Sequence, residues 1–151
     1  MNRLRNVSDS ITNAKGRCYL TAAIRGLLVA PISLMVGACS DTCSNEIITR
    51  IVSPDGQHEA VMFQRDCGAT TGFSTQVSVL KRGEALSGGG NTFRADDDHG
   101  AAKAGPWGGS WAEMEWLGPD SLLIRYATNS RLFEQERSVS DVTVSYETVG
   151  G

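Results

Sequence analysis

The sequence has few of the residues and motifs by which enzymes are usually recognised. Only two histidines occur, His58 and His99, and both lie in polar surroundings. There is no Gly-x-Ser-x-Gly elbow, no His-Glu-x-x-His helix and no glycine-rich loop ending in lysine. We therefore assign no catalytic residue, no metal ligand and no cofactor. A hydrolase or metal-dependent enzyme stays the alternative, and it requires a pocket that brings a histidine near Asp and Ser side chains.

The sequence also has no hydrophobic run long enough to span a bilayer. The apolar segment from Gly26 to Ala38 is 13 residues long, whereas a spanning helix needs roughly 20 and the apolar region of a signal peptide needs about 7 to 15. The residues before it carry five basic side chains against one acidic side chain, Asp9. This pattern predicts that residues 1–38 are a cleaved export signal with its basic flank on the cytoplasmic side.

The segment ends in Val36-Gly37-Ala38-Cys39, which resembles the lipobox of bacterial lipoproteins. The resemblance implies that Cys39 becomes the first residue of the mature chain, carries diacylglycerol and palmitate, and attaches the protein to a membrane, because two or three acyl chains anchor a protein stably. In such lipoproteins an Asp directly after the lipidated cysteine tends to retain the protein in the inner membrane. This chain has Ser40 at that position, so the resemblance favours the periplasmic face of the outer membrane. An ordinary signal peptide with Cys39 merely nearby is the alternative.

The mature chain is acidic and of single-domain size. Residues 39–151 hold 9 basic and 16 acidic side chains, and this acidic balance disfavours a nucleic-acid partner bound through phosphate neutralisation. A length of 113 residues allows one core. We expect a tether at 39–45 and a single all-β domain at 46–149.

The remaining cysteines are predicted to form a disulfide. Cys18 leaves with the signal and Cys39 is acylated, so Cys43 and Cys67 are the free thiols that remain in an oxidising compartment. Closing a loop of about 25 residues would stabilise the fold by about 3 to 3.5 kcal/mol in the loop-entropy model. The alternative is a reactive Cys67, which is disfavoured because Asp66 beside it would raise the pKa of a thiol.

Residues 46–147 alternate between apolar and polar side chains with a period of two, which is typical of β-strands rather than helices. The segments 47–52 and 60–64 flank a Ser-Pro-Asp-Gly turn, and 112–117 and 122–126 flank Gly-Pro-Asp-Ser, so two hairpins are predicted. Segments 73–79 and 142–146 are expected to be half-buried strands, with Gln76 on the polar face of the first. Trp116 alternates with other apolar residues of 112–117 and is expected in the core. A glycine-rich connection over 86–109 is expected to hold one short strand near 92–94. The fold class is all-β: an antiparallel meander of seven or eight strands that forms a small sandwich or open barrel.

Two loops contain candidate sites. Trp107 lies between Pro and Gly and either offers an aromatic face to a glycan or peptide or covers the end of the sheet. The residues from Asp96 to His99 are three carboxylates and an imidazole, but their spacing fits neither the calcium nor the zinc patterns. A solvated acidic loop is therefore expected there.

The stretch 60–78, which contains Asp-Cys-Gly-Ala-Thr-Thr-Gly-Phe at 66–73, resembles a signature of small exported bacterial proteins of uncharacterised function. Together with Pro-Trp-Gly-Gly at 106–109 and the hairpin at 116–126, the likeness spans most of the mature chain. It implies no activity. In this stretch Thr70 and Thr71 either cradle a ligand or form a tight crossing between strands. The sequence thus indicates a lipid-anchored envelope protein that acts as a non-enzymatic binding module for an envelope protein or a cell-wall glycan. An inhibitor of an envelope-degrading enzyme is a further alternative.

Overall fold

The computed structural model describes residues 42–68 and 70–150. The predicted signal at 1–38 and the predicted lipidation site at Cys39 lie outside the described residues. The described part contains no helix, so it holds none that could span a membrane. Its strands, in chain order, are β1 (Ser44–Val52), β2 (His58–Asp66), β3 (Ser74–Lys81), β4 (Phe93–Asp96), β5 (Ala112–Gly118), β6 (Ser121–Ala127), β7 (Arg131–Gln135), β8 (Ser138–Val139) and β9 (Val142–Val149).

The described strands form two sheets. Sheet 1 has the order β1-β2-β3-β4-β7 and is antiparallel throughout. Sheet 2 has the order β5-β6-β9-β8, and its central pair β6–β9 is parallel. The prediction of an all-β sandwich is confirmed, and neither sheet closes into a barrel. The described strands number nine, against seven or eight predicted, and the parallel pair departs from a simple meander because β7 crosses to sheet 1 before the chain returns beside β6.

The first predicted hairpin is formed by β1 and β2, and its turn is held by side chains. The Ser53 hydroxyl donates to Oδ1 of Asp55 at 2.6 Å and accepts the backbone N–H of His58 at 3.0 Å. Gly56 takes a φ of 72°, which costs a residue without a Cβ little. The hydrogen bond from Ser53 lowers the pKa of the Asp55 carboxyl, because it favours the charged form.

The second predicted hairpin is formed by β5 and β6 and begins sheet 2. Trp116 packs against the core as the alternation predicts, and its indole N–H donates to the backbone carbonyl of Ile51 at 3.1 Å. That bond joins sheet 2 to β1 of sheet 1. On the other face of sheet 2, Arg125 forms ion pairs with glutamates of both neighbouring strands. These are Glu113 and Glu115 on β5 and Glu147 on β9, at 3.0 to 3.1 Å.

The core lies between the sheets. Alternate residues of the strands on both sheets point into it, as period-two alternation requires. Aromatic rings fill its centre, where Phe93 lies 5.3 Å from Tyr126 and 6.1 Å from Tyr146 between ring centroids. The buried members are Ala60, Met62, Val77, Val79, Phe93, Ala95, Ala112, Leu122, Ile124, Tyr126, Val142 and Val144.

The outer face of sheet 1 is partly covered, which the alternation does not predict. Val61, Phe63 and Leu80 form a second apolar cluster there, and Leu86 from the segment 82–91 packs against it. The polar row of β3 is buried with them, since Gln76 is only 6% exposed. Its amide oxygen accepts the backbone N–H of Gly90 at 2.7 Å, so the covering segment satisfies the polar groups that it buries.

The predicted disulfide between Cys43 and Cys67 is confirmed, with 4.0 Å between the two Cα atoms. The bridge closes the open end of the first hairpin, directly beside the ladder pair of Ser44 and Asp66. For this reason β1 begins at Ser44, two residues before the expected start of the domain at 46.

Candidate functional site

The outer face of sheet 1 carries a groove where the covering segment ends. Its volume is roughly 480 Å³, within the usual range for sites that bind small molecules. We call it the outer groove. Strands and two loops contribute to its lining, which consists of Arg65, Cys67, Thr70, Thr71, Gly72, Ser74, Gln76, Arg94, Asp96, His99, Arg131 and Phe133.

Strand alternation brings the polar groups of the groove together. In β4, Phe93 and Ala95 are buried in the core between the sheets, so Arg94 and Asp96 project from the opposite face. Arg94 pairs with Gln76 on β3 and with Glu134 on β7 in the strand register. Side chains from three neighbouring strands therefore meet on one surface.

Ion pairs fix two of the three arginines in the lining. Arg94 contacts Glu134 through Nη2. Arg131 binds Asp96 with both Nε and Nη2, the former at 3.1 Å, and its Nη1 lies 3.8 Å from Oδ1 of Asp98. The hydrogen bond from Arg94 lowers the pKa of the Glu134 carboxyl, and the hydrogen bond to Asp96 raises the pKa of Arg131. These ion pairs give both guanidinium groups a defined orientation.

The third arginine, Arg65, is buried at the end of β2, with 8% exposure. Its Nη1 donates to Oδ1 of Asn45 at 2.6 Å and to the backbone carbonyl of Gly88 at 2.8 Å. Gly88 belongs to the covering segment, so Arg65 joins that segment to the first hairpin at the boundary of the outer groove.

An aromatic ring on the edge strand completes the lining. Phe133 of β7 is 55% exposed, among the largest exposures of an apolar side chain in the described residues. The guanidinium of Arg131 lies over its ring, 5.2 Å from the centroid. This stacking orients the ring while leaving more than half of the side chain open to a ligand.

Thr70 and Thr71, the predicted ligand-binding pair, both line the outer groove. The Thr71 hydroxyl donates to the carbonyl of Gly68 at 3.1 Å, and Oδ1 of Asp66 accepts the N–H of Gly68 at 2.9 Å. Thr70 and Thr71 thus contribute hydroxyl-bearing side chains to the lining of the groove. Whether these residues bind a ligand stays a prediction.

Trp107, the third predicted ligand-binding residue, lies elsewhere. It is half-buried against the core, and its indole N–H donates to Oγ1 of Thr75 at 2.8 Å. It lines a smaller depression of roughly 300 Å³ with Phe73 and the carboxylates of Glu46 and Asp66. The structure therefore separates Trp107 from the two threonines, and it gives Trp107 the packing expected of a residue that covers the end of a sheet.

The acidic loop is only partly as expected. The expectation of a solvated loop is wrong for Asp96, because that residue is the last of β4, is 8% exposed and binds Arg131. His99 is exposed and lines the outer groove with a φ of 59°. Over residues 42–68 and 70–150, no three His, Cys, Asp or Glu side chains converge in a way that could hold a metal ion. His58 does not line the groove.

Sequence reasoning missed the three arginines and Phe133. They are far apart in the chain, at positions 65, 94, 131 and 133, and only the strand order β2-β3-β4-β7 brings them together. The available signal was the alternation itself, since Arg94 and Asp96 flank a buried alanine. That signal is weak, because β4 has only four residues.

Comparison of the chain with protein-family models, with curated proteins and with solved structures gave no match in any of the three. The function is therefore argued from the residues and geometry of this chain.

Proposed function

We propose that this chain is a lipid-anchored protein of the bacterial cell envelope whose β-sandwich acts as a non-enzymatic binding module, with the outer groove as its binding site. The proposal has two parts, an anchor and a site, and each is tested separately.

The anchor is supported by sequence. A basic leader, an apolar run of signal-peptide length and the Val36-Gly37-Ala38-Cys39 stretch occur in the order that lipoprotein processing requires. Acyl chains on Cys39 would hold the domain at the membrane surface. Ser40 favours the outer membrane, with the domain facing the periplasm.

The anchor is tested by replacing Cys39 with serine and separating membranes from soluble protein. We expect the unchanged chain in the membrane fraction and Cys39→Ser in the soluble fraction, because the serine cannot accept the thioether-linked lipid. Cys18→Ser is the matched control and should remain in the membrane, since Cys18 is expected to leave with the signal. Recovery of Cys39→Ser in the membrane pellet would overturn the anchor.

One observation carries the binding site: the outer groove combines oriented charged groups, hydroxyls and an exposed aromatic ring in one concavity. Ligand sites have this composition, with a few placed polar groups that fix orientation and an apolar surface that contributes affinity. Scattered exposed apolar residues are normal, whereas an exposed Phe133 next to fixed arginines is a combination that favours recognition. The partner in this proposal is an envelope protein or a cell-wall glycan.

A hydrolase is the second candidate, because His99, Asp96 and Ser74 line the same groove. The contacts disfavour it. Asp96 is engaged by Arg131, Oγ of Ser74 accepts from Nε2 of Gln76 at 2.9 Å, and no hydrogen bond within the described residues joins His99 to either of the other two. A nucleophile, a base and an orienting group would need to be linked.

The two candidates are separated by measuring hydrolysis of p-nitrophenyl acetate by the purified chain and by His99→Ala. We expect the same low rate for both, close to the rate of imidazole in solution. A rate above that background that disappears in His99→Ala would establish the hydrolase and overturn the non-enzymatic proposal.

A further inference from the structure

The donors and acceptors of the outer groove indicate what kind of ligand fits it. Each guanidinium carries five N–H donors and no acceptor. Among the three arginines in the lining, Arg94 is engaged by a carboxylate through Nη2 alone, so it is the arginine best placed to donate to a ligand. Nε of Arg94 is shielded from solvent and has no acceptor among the described residues. A buried donor without a partner is rare in folded proteins. Because Nε is closed to solvent, a ligand in the groove would reach Arg94 through the exposed part of its side chain.

The groove does not have the charge expected for a polyanion. Asp96 lies in the lining, and Glu134 and Asp98 contact two of the arginines from beside it. Glu136 lies in hydrogen-bonding contact with Glu134, and Asp97 also acts on Arg131, so the carboxylates in this region outnumber the three arginines. A ligand with several negative charges would meet these carboxylates as well as the arginines. A ligand with one carboxylate and several hydroxyl groups can accept from guanidinium groups and donate to Asp96 at once.

The other lining groups have the same character. Thr70, Thr71 and Ser74 supply hydroxyls and Gln76 lies beside them, so several of the remaining groups both donate and accept. Phe133 supplies a flat apolar surface, and the ring of a saccharide has a face of C–H groups that packs on such a surface. The volume of roughly 480 Å³ accommodates one or two sugar rings.

From these observations we propose that the outer groove binds an acidic saccharide, a sugar ring that carries one carboxylate. The ring packs on Phe133, its carboxylate accepts from the guanidinium of Arg94, and its hydroxyl groups exchange hydrogen bonds with Asp96 and the hydroxyl-bearing turn at 70–71. This inference rests on the proposed function, because it names the ligand class of the same site.

The test is isothermal titration calorimetry of the full chain in a detergent without a sugar headgroup. The probes are D-glucuronate, D-glucose, acetate, inorganic phosphate and a short acidic peptide. We expect glucuronate to bind more tightly than glucose and than acetate, each by on the order of tenfold or more, because each lacks one of the two features that the groove recognises.

Variants locate the site. Phe133→Ala removes the packing surface, and Arg94→Lys keeps the charge but removes the planar donors. We expect each to weaken glucuronate binding by about tenfold. Leu117→Ala is the matched control, because Leu117 is similarly exposed at 57% but lies on β5 outside the groove, and it should bind as the unchanged chain does. Circular dichroism of each variant verifies that the fold is intact.

Each contrary outcome has a distinct meaning. Equal affinity for glucose removes the carboxylate from the proposal, and equal affinity for acetate or phosphate removes the saccharide. Binding of the acidic peptide alone, lost in Phe133→Ala, overturns the saccharide class while the binding module survives. Glucuronate binding that persists in both groove variants overturns the site. If none of the probes binds, the saccharide inference is overturned, while the anchor is judged by the fractionation of Cys39→Ser and the non-enzymatic role by the hydrolysis assay.

Discussion

Removal of the disulfide should cost the fold a large part of its stability. The bridge joins residues 24 positions apart and closes a loop that contains the whole β1–β2 hairpin. In the loop-entropy model, cross-linking a loop of this length restricts the unfolded chain by about 3.5 kcal/mol. A small domain has about 5 to 15 kcal/mol of stability in total. The double variant Cys43→Ser, Cys67→Ser is therefore expected to lose between a quarter and two thirds of its free energy of unfolding.

The structure also predicts which strand loses stability first when the bridge is removed. β1 is an edge strand of sheet 1, and Ser44 pairs with Asp66 directly beside the bridge. Without the cross-link, the first residues of β1 should open locally before the domain unfolds. Backbone amides at 44–47 should therefore exchange hydrogen faster in the variant than the loss of global stability alone would cause. Amides of β6 and β9 in sheet 2 should exchange faster only by the amount that the loss of global stability causes.

Urea unfolding followed by tryptophan fluorescence measures the free energy, and hydrogen exchange measures the local opening. The control is the unchanged chain in reductant, which should match the double variant in both measurements. A loss below about 1 kcal/mol would refute the argument, because it would show that the unfolded chain is already as restricted without the bridge as with it.

Three further changes test the packing and the charges. Gly90→Ala should destabilise the fold by about 1 to 3 kcal/mol, because the added Cβ would lie 2.8 and 2.9 Å from backbone carbonyl oxygens of β3 and β4. Gly72→Ala is the control and should change stability little, because its Cβ would meet no atom within 4 Å. Burial raises the pKa of the Tyr146 hydroxyl, so the folded state loses stability as pH rises above about 10, and Tyr146→Phe should flatten that alkaline loss. The hydrogen bonds to Glu147, Glu113 and Glu115 raise the pKa of Arg125, and Arg125→Gln should lower stability at pH 7 because these charge-assisted bonds are lost.

All three are read from urea unfolding curves, and Tyr146→Phe is compared with the unchanged chain over a pH series that rises above 10. Equal stability of Gly90→Ala and Gly72→Ala would contradict the close approach of the covering segment. An unchanged alkaline profile in Tyr146→Phe, or an unchanged free energy of unfolding in Arg125→Gln, would assign the corresponding stabilisation to other groups.

Local chemistry made the hairpins and the bridge predictable. Ser-Pro-Asp-Gly and Gly-Pro-Asp-Ser determine where the chain turns, and the alternation around them determines which side chains are buried, so Trp116 was correctly placed in the core. Cys43 and Cys67 were identified by elimination, and the hairpin between them brings their ends together. Each of these conclusions depends on contacts that are close in sequence or forced by a turn.

The rest depended on which strands become neighbours, and period-two alternation contains no information on that order. It could not reveal that β7 joins sheet 1 beside β4 or that β9 runs parallel to β6. For the same reason the alternation did not indicate that Arg94 and Arg131 line the same groove. It also treated Gln76 as solvent-facing, because nothing in β3 itself indicates that the segment 82–91 folds back over it.

The covering segment also explains why a groove forms on this surface. An exposed sheet face is nearly flat, and the outer face of sheet 2 carries the charge cluster of Arg125. On sheet 1, the segment 82–91 rises above Val61 and Phe63 and is held at its end by Arg65, while the turn at 70–71 contributes to the lining from another side. The strand surface between the covering segment and this turn stays uncovered and forms the floor of the groove, where Arg94 lies. The concavity is thus a consequence of covering one part of a sheet and not the next. Changes that loosen the segment, such as Gly90→Ala, should therefore weaken ligand binding in the outer groove together with stability, although Gly90 does not line it.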